Sequence, residues 1–315
     1  MTSESLSRRD ALVRAGLVAG AACLAAPLRA AAPADAKSEF VLCFNTGTIR
    51  GQKVGIVKEV EIAAKAGYQA IEPWVEALDQ YARAGGSLKD LGNRIKDAGL
   101  TVESAIGFAE WIVEDDTRRA AGLERARHDM DLVVQIGGKR LAAPPAGATD
   151  QVGFDLKKAA DRYRALLEAG DKIGVTPELE LWGFSKNLRT LSEAVYVALL
   201  SGHPKACVLA DIFHLYKGGS EFAGLRLLSG AAHPVFHMND YPADPPRDKV
   251  NDGYRVFPGD GVAPIPQILR DLRAGGGRTV LSLELFSRKY WEKDALEVAQ
   301  AGLEKLKSAV ALANA

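Results

Sequence analysis

Apolar residues along this chain recur with two alternating periods. Short runs in which they are continuous or alternate with polar positions read as eight β-strands: Phe40–Asn45, Ala70–Trp74, Thr101–Ile106, Arg140–Ala143, Glu178–Leu181, Cys207–Asp211, Val235–Asn239 and Val280–Leu285. Between these runs the apolar spacing is helical. Ile56, Val60 and Ala64 share a face, as do Leu88, Leu91 and Ile95, then Leu123, Ala126, Met130 and Val133, and finally Leu296, Ala299, Leu303, Leu306 and Val310. Several of these stretches stop at glycine just before the next strand, in KAGYQAIE, KDAGLTVE, QIGGKRLAA and DKIGVTPELE, which is left-handed C-cap chemistry. The βα unit repeats about eight times without a second domain, so the pattern predicts an α/β protein with a single (β/α)8 TIM barrel over residues 37–315. A doubly wound open sheet alternates in the same way, but it would carry a Gly-rich dinucleotide turn after the first strand, and GTIRG after Asn45 is not one.

Residues 1–36 stand outside the alternation. Paired Arg8 and Arg9 precede an Ala/Leu/Val run from about Ala11 to Ala26, with small residues up to Ala32 or Ala36, a sequence that resembles a twin-arginine export signal. The run is too short and alanine-rich to span a bilayer, which takes about 20 apolar residues. Gly20 stands three residues before Cys23, where a lipid-attachment motif usually has Leu. The expectation is a periplasmic protein, free of the membrane when mature, whose first partner is the twin-arginine export machinery. That route carries proteins already folded, which suits a metal chosen in the cytoplasm.

Lys plus Arg and Asp plus Glu are equal at 40 each, so no net field draws nucleic acid or an anionic membrane. Beyond the signal only Cys43 and Cys207 remain, both within apolar runs. Neither a disulfide framework nor a cysteine zinc site is expected.

The chemistry lies at the ends of four strand runs: Glu180 in VTPELELWG, Asp211 in ACVLADIFH, His237 in VFHMND and Glu284 in VLSLELF. A TIM barrel places its active site at the C-terminal strand ends, and side chains two apart share a face, so Glu178, Glu180 and Trp182 align, as do Ser282, Glu284 and Phe286. Three carboxylates gathered there would repel one another and be costly to bury, and a divalent cation removes the conflict. Three oxygen donors and one nitrogen suit manganese first, with magnesium, cobalt or zinc as alternatives.

These residues resemble the sugar isomerase and epimerase barrels of the xylose isomerase-like superfamily, over essentially the whole mature chain. The resemblance rests on Glu180, the Asp211-Ile212-Phe213-His214 and His237-Met238-Asn239-Asp240 segments, the Pro258-Gly259-Asp260-Gly261 loop and Glu284. It implies that Glu180 and Glu284 bind the metal and also exchange protons with the substrate carbon on opposite faces, while His214 contacts substrate oxygens. The implied reaction isomerises or epimerises a free sugar or keto-sugar through a metal-stabilised cis-enediolate. Glu72 in AIEPW resembles a similarly placed family acid and is expected at the substrate, with Arg247 reaching in from the Pro-rich loop and Trp74, Trp111, Trp182 and Phe286 as apolar walls.

Two other enzyme readings share the fold. A lyase or hydratase on 3-keto-glycosides would use the same site to expel a substituent. A nuclease with a three-zinc cluster needs more histidines than the five present, of which His128 and His203 lie in helical or loop contexts. A non-catalytic sugar-binding barrel is the alternative from another class. A small-molecule sugar is the expected partner, nucleic acid is not, and the reading leaves a homo-oligomer open.

Overall fold

The structure, a computed structural model, describes residues 39–315; the expected export signal lies outside the described residues. Eight parallel strands, β1 (Glu39–Asn45), β2 (Ala70–Glu72), β3 (Thr101–Val102), β4 (Arg140–Ala143), β5 (Thr176–Glu180), β6 (Val208–Asp211), β7 (Val235–Met238) and β8 (Arg278–Leu283), pair in the order β3-β2-β1-β8-β7-β6-β5-β4. The sheet closes between the segments after β3 and in β4, where Ala105 N donates to Arg140 O at 3.1 Å and Ala142 N donates to Ala105 O at 2.9 Å. This is the expected (β/α)8 barrel. Its helices are α1 (Ile56–Ala66), α2 (Val75–Arg83), α3 (Leu88–Asp97), α4 (Asp116–Gln135), α5 (Leu156–Ile173), α6 (Leu191–Leu200), α7 (Ile212–Gly218), α8 (Ile265–Ala274), α9 (Arg288–Trp291) and α10 (Ala295–Asn314). Among the described residues no helix is long and apolar enough to cross a membrane.

Local chemistry sets the ends of these elements. Gly67 and Gly174 close α1 and α5 at φ of 96° and 93°, a region that costs a side-chain-bearing residue strain. Thr190 and Glu193 form a reciprocal capping box at the start of α6. β2 stops at Glu72, short of the expected Trp74, because Pro73 has no N–H to continue the ladder. β3 has two residues where six were expected. After Val102 the chain changes partners, Ala105 joining β4 and Ile106 bridging Trp74.

Alternation along the strands separates two cores. Phe44, Ile71, Leu141, Leu179, Phe236, Leu281 and Leu283 belong to the large core shared with the helices, whereas Val41, Cys43, Ala70, Ala142, Leu209, Val235 and Val280 form a small one of their own. Two residues beyond the small core, on the same strand faces, stand Asn45, Glu72, Asp211, His237 and Ser282, so a buried polar layer sits directly on an apolar one. Cys43 and Cys207 are buried and unpaired, as expected.

At the opposite, N-terminal strand ends, Arg278 at the start of β8 grips Glu103 beyond β3 with two hydrogen bonds of 2.7 and 3.0 Å, and the Thr101 hydroxyl adds a third of 2.8 Å. Burial alone would raise the Glu103 carboxyl, but these donors outweigh it and bring it down to about 2. A depressed carboxyl contributes stability that is complete above its unfolded value near 4.5 and is lost as pH falls toward 2. Glu103→Gln should therefore lower Tm by several degrees at pH 7. The gap between wild type and variant should shrink progressively from pH 4.5 to pH 2 in calorimetry. A gap that stays constant across that window would contradict this assignment.

Candidate active site

The polar layer converges on one centre. Asp211 ends β6, His237 lies in β7 paired to Asp211, and Glu284 follows β8; a ligand atom from each lies within 4.8 Å of the other two. Glu180, at the end of β5, stands outside that triad and lines, together with Glu284, a cavity of about 310 Å³ whose wall also includes His214, Asp252 and Arg255. Neighbouring groups aim every member. Asp211 caps α7 by accepting from His214 N at 2.8 Å, and its other oxygen accepts from Asn239 at 2.7 Å. Asn239 is itself fixed by accepting from Phe213 N at 3.0 Å.

Asn45 uses its whole amide. Its Nδ2 donates to Glu72 at 2.8 Å and to Glu284 at 3.0 Å, and its Oδ1 accepts from Gly47 N at 2.9 Å and Trp74 Nε1 at 3.0 Å. Glu72 is fully buried and does not reach the cavity, which corrects the expectation that it binds substrate. It accepts instead from Ser282 at 2.6 Å and from Asn45, and lies 3.1 Å from His237 Nε2. A carboxylate behind a histidine fixes the ring's orientation and tautomer.

The largest departure from expectation is Arg255, a fully buried side chain in the irregular segment after β7. Its Nη1 donates to Asp211 at 2.9 Å and Glu284 at 3.0 Å, its Nη2 lies 3.1 Å from His214 Nε2, and Asp252 receives both Nε at 3.0 Å and Nη2 at 2.6 Å. Arg247, the arginine expected at the substrate, is exposed and lies over Tyr216 with its guanidinium 4.8 Å from the ring. The loop that carries Arg255 is stapled by Asp240, whose carboxylate accepts from the backbone N–H of Tyr241, Gly259, Gly261 and Ala263 at 2.8 to 3.0 Å. A Cβ on Gly261 would come within 2.3 Å of the Asp240 carboxylate, so the Pro-Gly-Asp-Gly turn fits against that staple only as glycine.

Burial and charge divide the carboxyl groups. Burial would raise Glu72 and Glu284, but His237 and their other donors outweigh it and hold both below the usual carboxylate value. For Glu180 burial dominates, reinforced by Glu284 and Asp211 against His237, and its carboxyl rises to about 8. His237 is disfavoured as a cation by burial, yet the Glu284 and Glu72 carboxylates carry it well above the usual imidazole value. His214 is held low by burial and by Arg255, so it is neutral near pH 7.

The donor set fits a divalent cation. His237 Nε2 is committed to Glu72, while its buried Nδ1 has no hydrogen-bond partner and faces Glu284 at 3.2 Å and Asp211 at 3.9 Å. A proton on Nδ1 answers those two carboxylate oxygens here, and a divalent cation held by the neutral ring at the same point would take that proton's place. Arg255 addresses the same two oxygens, so protein charge already supplies part of the compensation.

Aromatic rings wall the cavity. Phe286 meets Trp74 at a centroid distance of 5.9 Å, Trp74 meets Phe108 at 5.1 Å, Phe108 meets Trp182 at 6.0 Å and Trp182 meets Phe184 at 5.2 Å. Trp74, Trp182 and Phe286 are thus wall residues of the cavity. Trp111 is not: it is buried against Tyr163, with its Nε1 donating to Pro144 O at 2.8 Å, which makes it a core residue.

Comparison with known proteins agrees with this architecture. Inosose isomerase from Bacillus velezensis is 24% identical over 273 residues, covering 85% of this chain and 96% of that protein. 3-Dehydroshikimate dehydratase from Pseudomonas putida is 24% identical over 251 residues, 79% of this chain but 39% of the longer relative. A crystal structure of the IolI protein with a bound zinc atom superposes with a TM-score of 0.80 at 23% identity, covering 86% of this chain and 98% of that one. The family model described as xylose isomerase-like TIM barrel matches residues 60–309, and the chain belongs to that family.

Proposed function

We propose that this protein is a divalent-metal-dependent isomerase or epimerase of a keto-sugar, acting in the periplasm after twin-arginine export. The observation that carries the reading is the convergence of Asp211, His237 and Glu284 beside a cavity into which Glu180 also points. These residues would hold the cation, with manganese the first candidate for this oxygen-rich set. When bound, the cation polarises the substrate carbonyl and its neighbouring hydroxyl, which acidifies the carbon between them. The chain does the rest. Glu284, whose donors hold it low, is suited to take the carbon-bound proton, and Glu180, which burial and the neighbouring carboxylates push up, is suited to return one from another side. His214 accepts from Arg255 through Nε2, which leaves the proton on Nδ1, a buried atom without a partner and so available to a substrate oxygen. Arg255 and Asp252 complete the polar lining, with the Arg255 guanidinium held in place by Asp252.

A second reading is supported by the dehydratase relative: the same proton abstraction next to a leaving group expels it. The two differ in product. Elimination releases water or an alcohol and leaves an unsaturated ketone, whereas epimerisation returns an isomer of unchanged mass.

In deuterated water the wild-type enzyme should wash label into the carbon next to the carbonyl. Glu180→Gln and Glu284→Gln should each cut turnover by about 10²–10⁴-fold, the share general acid–base catalysis supplies. The residual label should enter opposite epimers in the two variants. Full activity in either would leave a one-base or hydride-shift mechanism as the better account.

Glu72→Gln removes the charge behind His237 while keeping the side chain's shape. Calorimetric titration with Mn²⁺ should give an affinity lower by roughly 10–100-fold, the usual consequence of losing such a support. An unchanged affinity would mean that Glu72 is only a packing residue.

A further inference from the structure

A second cavity, of about 370 Å³, opens between the segment after β1, the start of α1 and the start of α2. Trp74 and Arg50 line both it and the catalytic cavity, with the Arg50 guanidinium 4.3 Å from the centre of the Trp74 ring. Lys53 lines only the second. Among the described residues neither cation has a carboxylate partner. Gly55, the N-cap of the 11-residue α1, also lines this cavity and offers no side chain, so the N–H groups of the first turn lack a side-chain cap and the positive end of the helix faces it. The wall carries one more unsatisfied group. Glu59 is only 7% exposed; the Thr46 hydroxyl serves its carboxyl, yet Oε2 has no hydrogen-bond partner. Buried polar atoms are nearly always paired, and an open one on a cavity wall marks the place of a ligand group. Burial, only partly offset by Thr46, raises this carboxyl to about 7, so below that pH it stands neutral beside the two cations and does not repel an anion. On the α2 wall Glu76 accepts from Gln80 at 3.3 Å.

We propose that this cavity is a second binding site, for a hydroxylated oxyanion: a sugar acid or a sugar phosphate. Arg50, Lys53 and the first turn of α1 receive the anionic group, and the open oxygen of Glu59 pairs with a neighbouring hydroxyl. Carboxylate and phosphate share the chemistry these donors read, a negative charge spread over acceptor oxygens. Glu59 and Glu76 disfavour a bare polyanion, and as acceptors they favour a ligand that also carries hydroxyl donors. The site does not depend on the metal-dependent reading of the catalytic layer. Its occupant would lie one side chain, Arg50, away from the catalytic cavity.

The test is calorimetric titration of the full-length protein, dialysed free of excess metal, with gluconate, glucose 6-phosphate and glucose at low ionic strength. At least one of the two anions should bind with a Kd below about 1 mM, and glucose about tenfold more weakly, because it lacks the charge-assisted contacts. Lys53→Gly removes a cation that does not line the catalytic cavity, and at φ of 51° the backbone suits glycine, so Tm should hold. It should weaken the bound anion about tenfold and leave glucose unchanged. Arg50→Ser, at an exposed position, should do the same. Tighter gluconate binding alone identifies a sugar acid, tighter glucose 6-phosphate binding alone a sugar phosphate, and both together a site that reads the anionic group of either. Anions that bind no tighter than glucose overturn the proposal. So does an anion affinity that survives Lys53→Gly, since the anion is then held elsewhere on the protein.

Discussion

Four buried carboxyl groups, Glu72, Glu180, Asp211 and Glu284, crowd the C-terminal end of the barrel, and the rest of the site follows from the need to compensate them. Uncompensated, such charges are destabilising; removing one member of a buried pair costs about 3–5 kcal/mol for that reason. The protein meets the need unequally. Glu72 and Glu284 receive donors and stay ionised, Glu180 receives few and carries its proton near neutral pH, and His237 and Arg255 bring positive charge to the space between them. A difference in proton affinity between two neighbouring carboxyl groups thus arises from how many donors each was given.

That compensation reaches far along the chain. Arg255 can stand between Asp211 and Glu284 only because its loop is held in place, and the loop is held by Asp240 accepting four backbone N–H groups. Tyr216 stacks on Tyr241 at 3.7 Å and Lys217 donates to the carbonyls of Arg247 and Asp248, which ties the same loop to the helix that carries His214. On the other side Asn45 links Glu72 and Glu284 to Trp74, so a single amide joins the charged layer to the aromatic wall. Asp211, Glu284 and the aromatic wall are parts of one hydrogen-bonded assembly.

Much of this was legible in the sequence where period carries information. The eight strands and the positions of Glu180, Asp211, His237 and Glu284 follow from alternation and from the barrel's polarity. Alternation alone does not separate Glu178 from Glu180, which share a strand face; depth does, since Glu178 is fully buried with the Ser104 hydroxyl at 2.9 Å and Glu180 reaches the cavity. Arg255 was missed because it sits in an irregular segment without any period, where Arg247 looked equally eligible; its one signal was its place three residues before Pro258-Gly259. Asn45 did carry a signal, a polar residue ending a strand on the face of Val41 and Cys43. Trp111 misled because an aromatic side chain packs as well in a core as in a wall, and only its contact with Tyr163 decides.

The central claim is that this cluster is a cation site rather than a self-sufficient ion-pair network around Arg255. Crystals of the protein grown with Mn²⁺ and measured by anomalous diffraction test it directly. The account predicts one strong anomalous peak within coordination distance, about 2.0–2.6 Å, of donor atoms from Asp211, His237 and Glu284, with Glu180 turned toward it. No peak at that centre, with Arg255 still bridging Asp211 and Glu284 at millimolar metal, would contradict it.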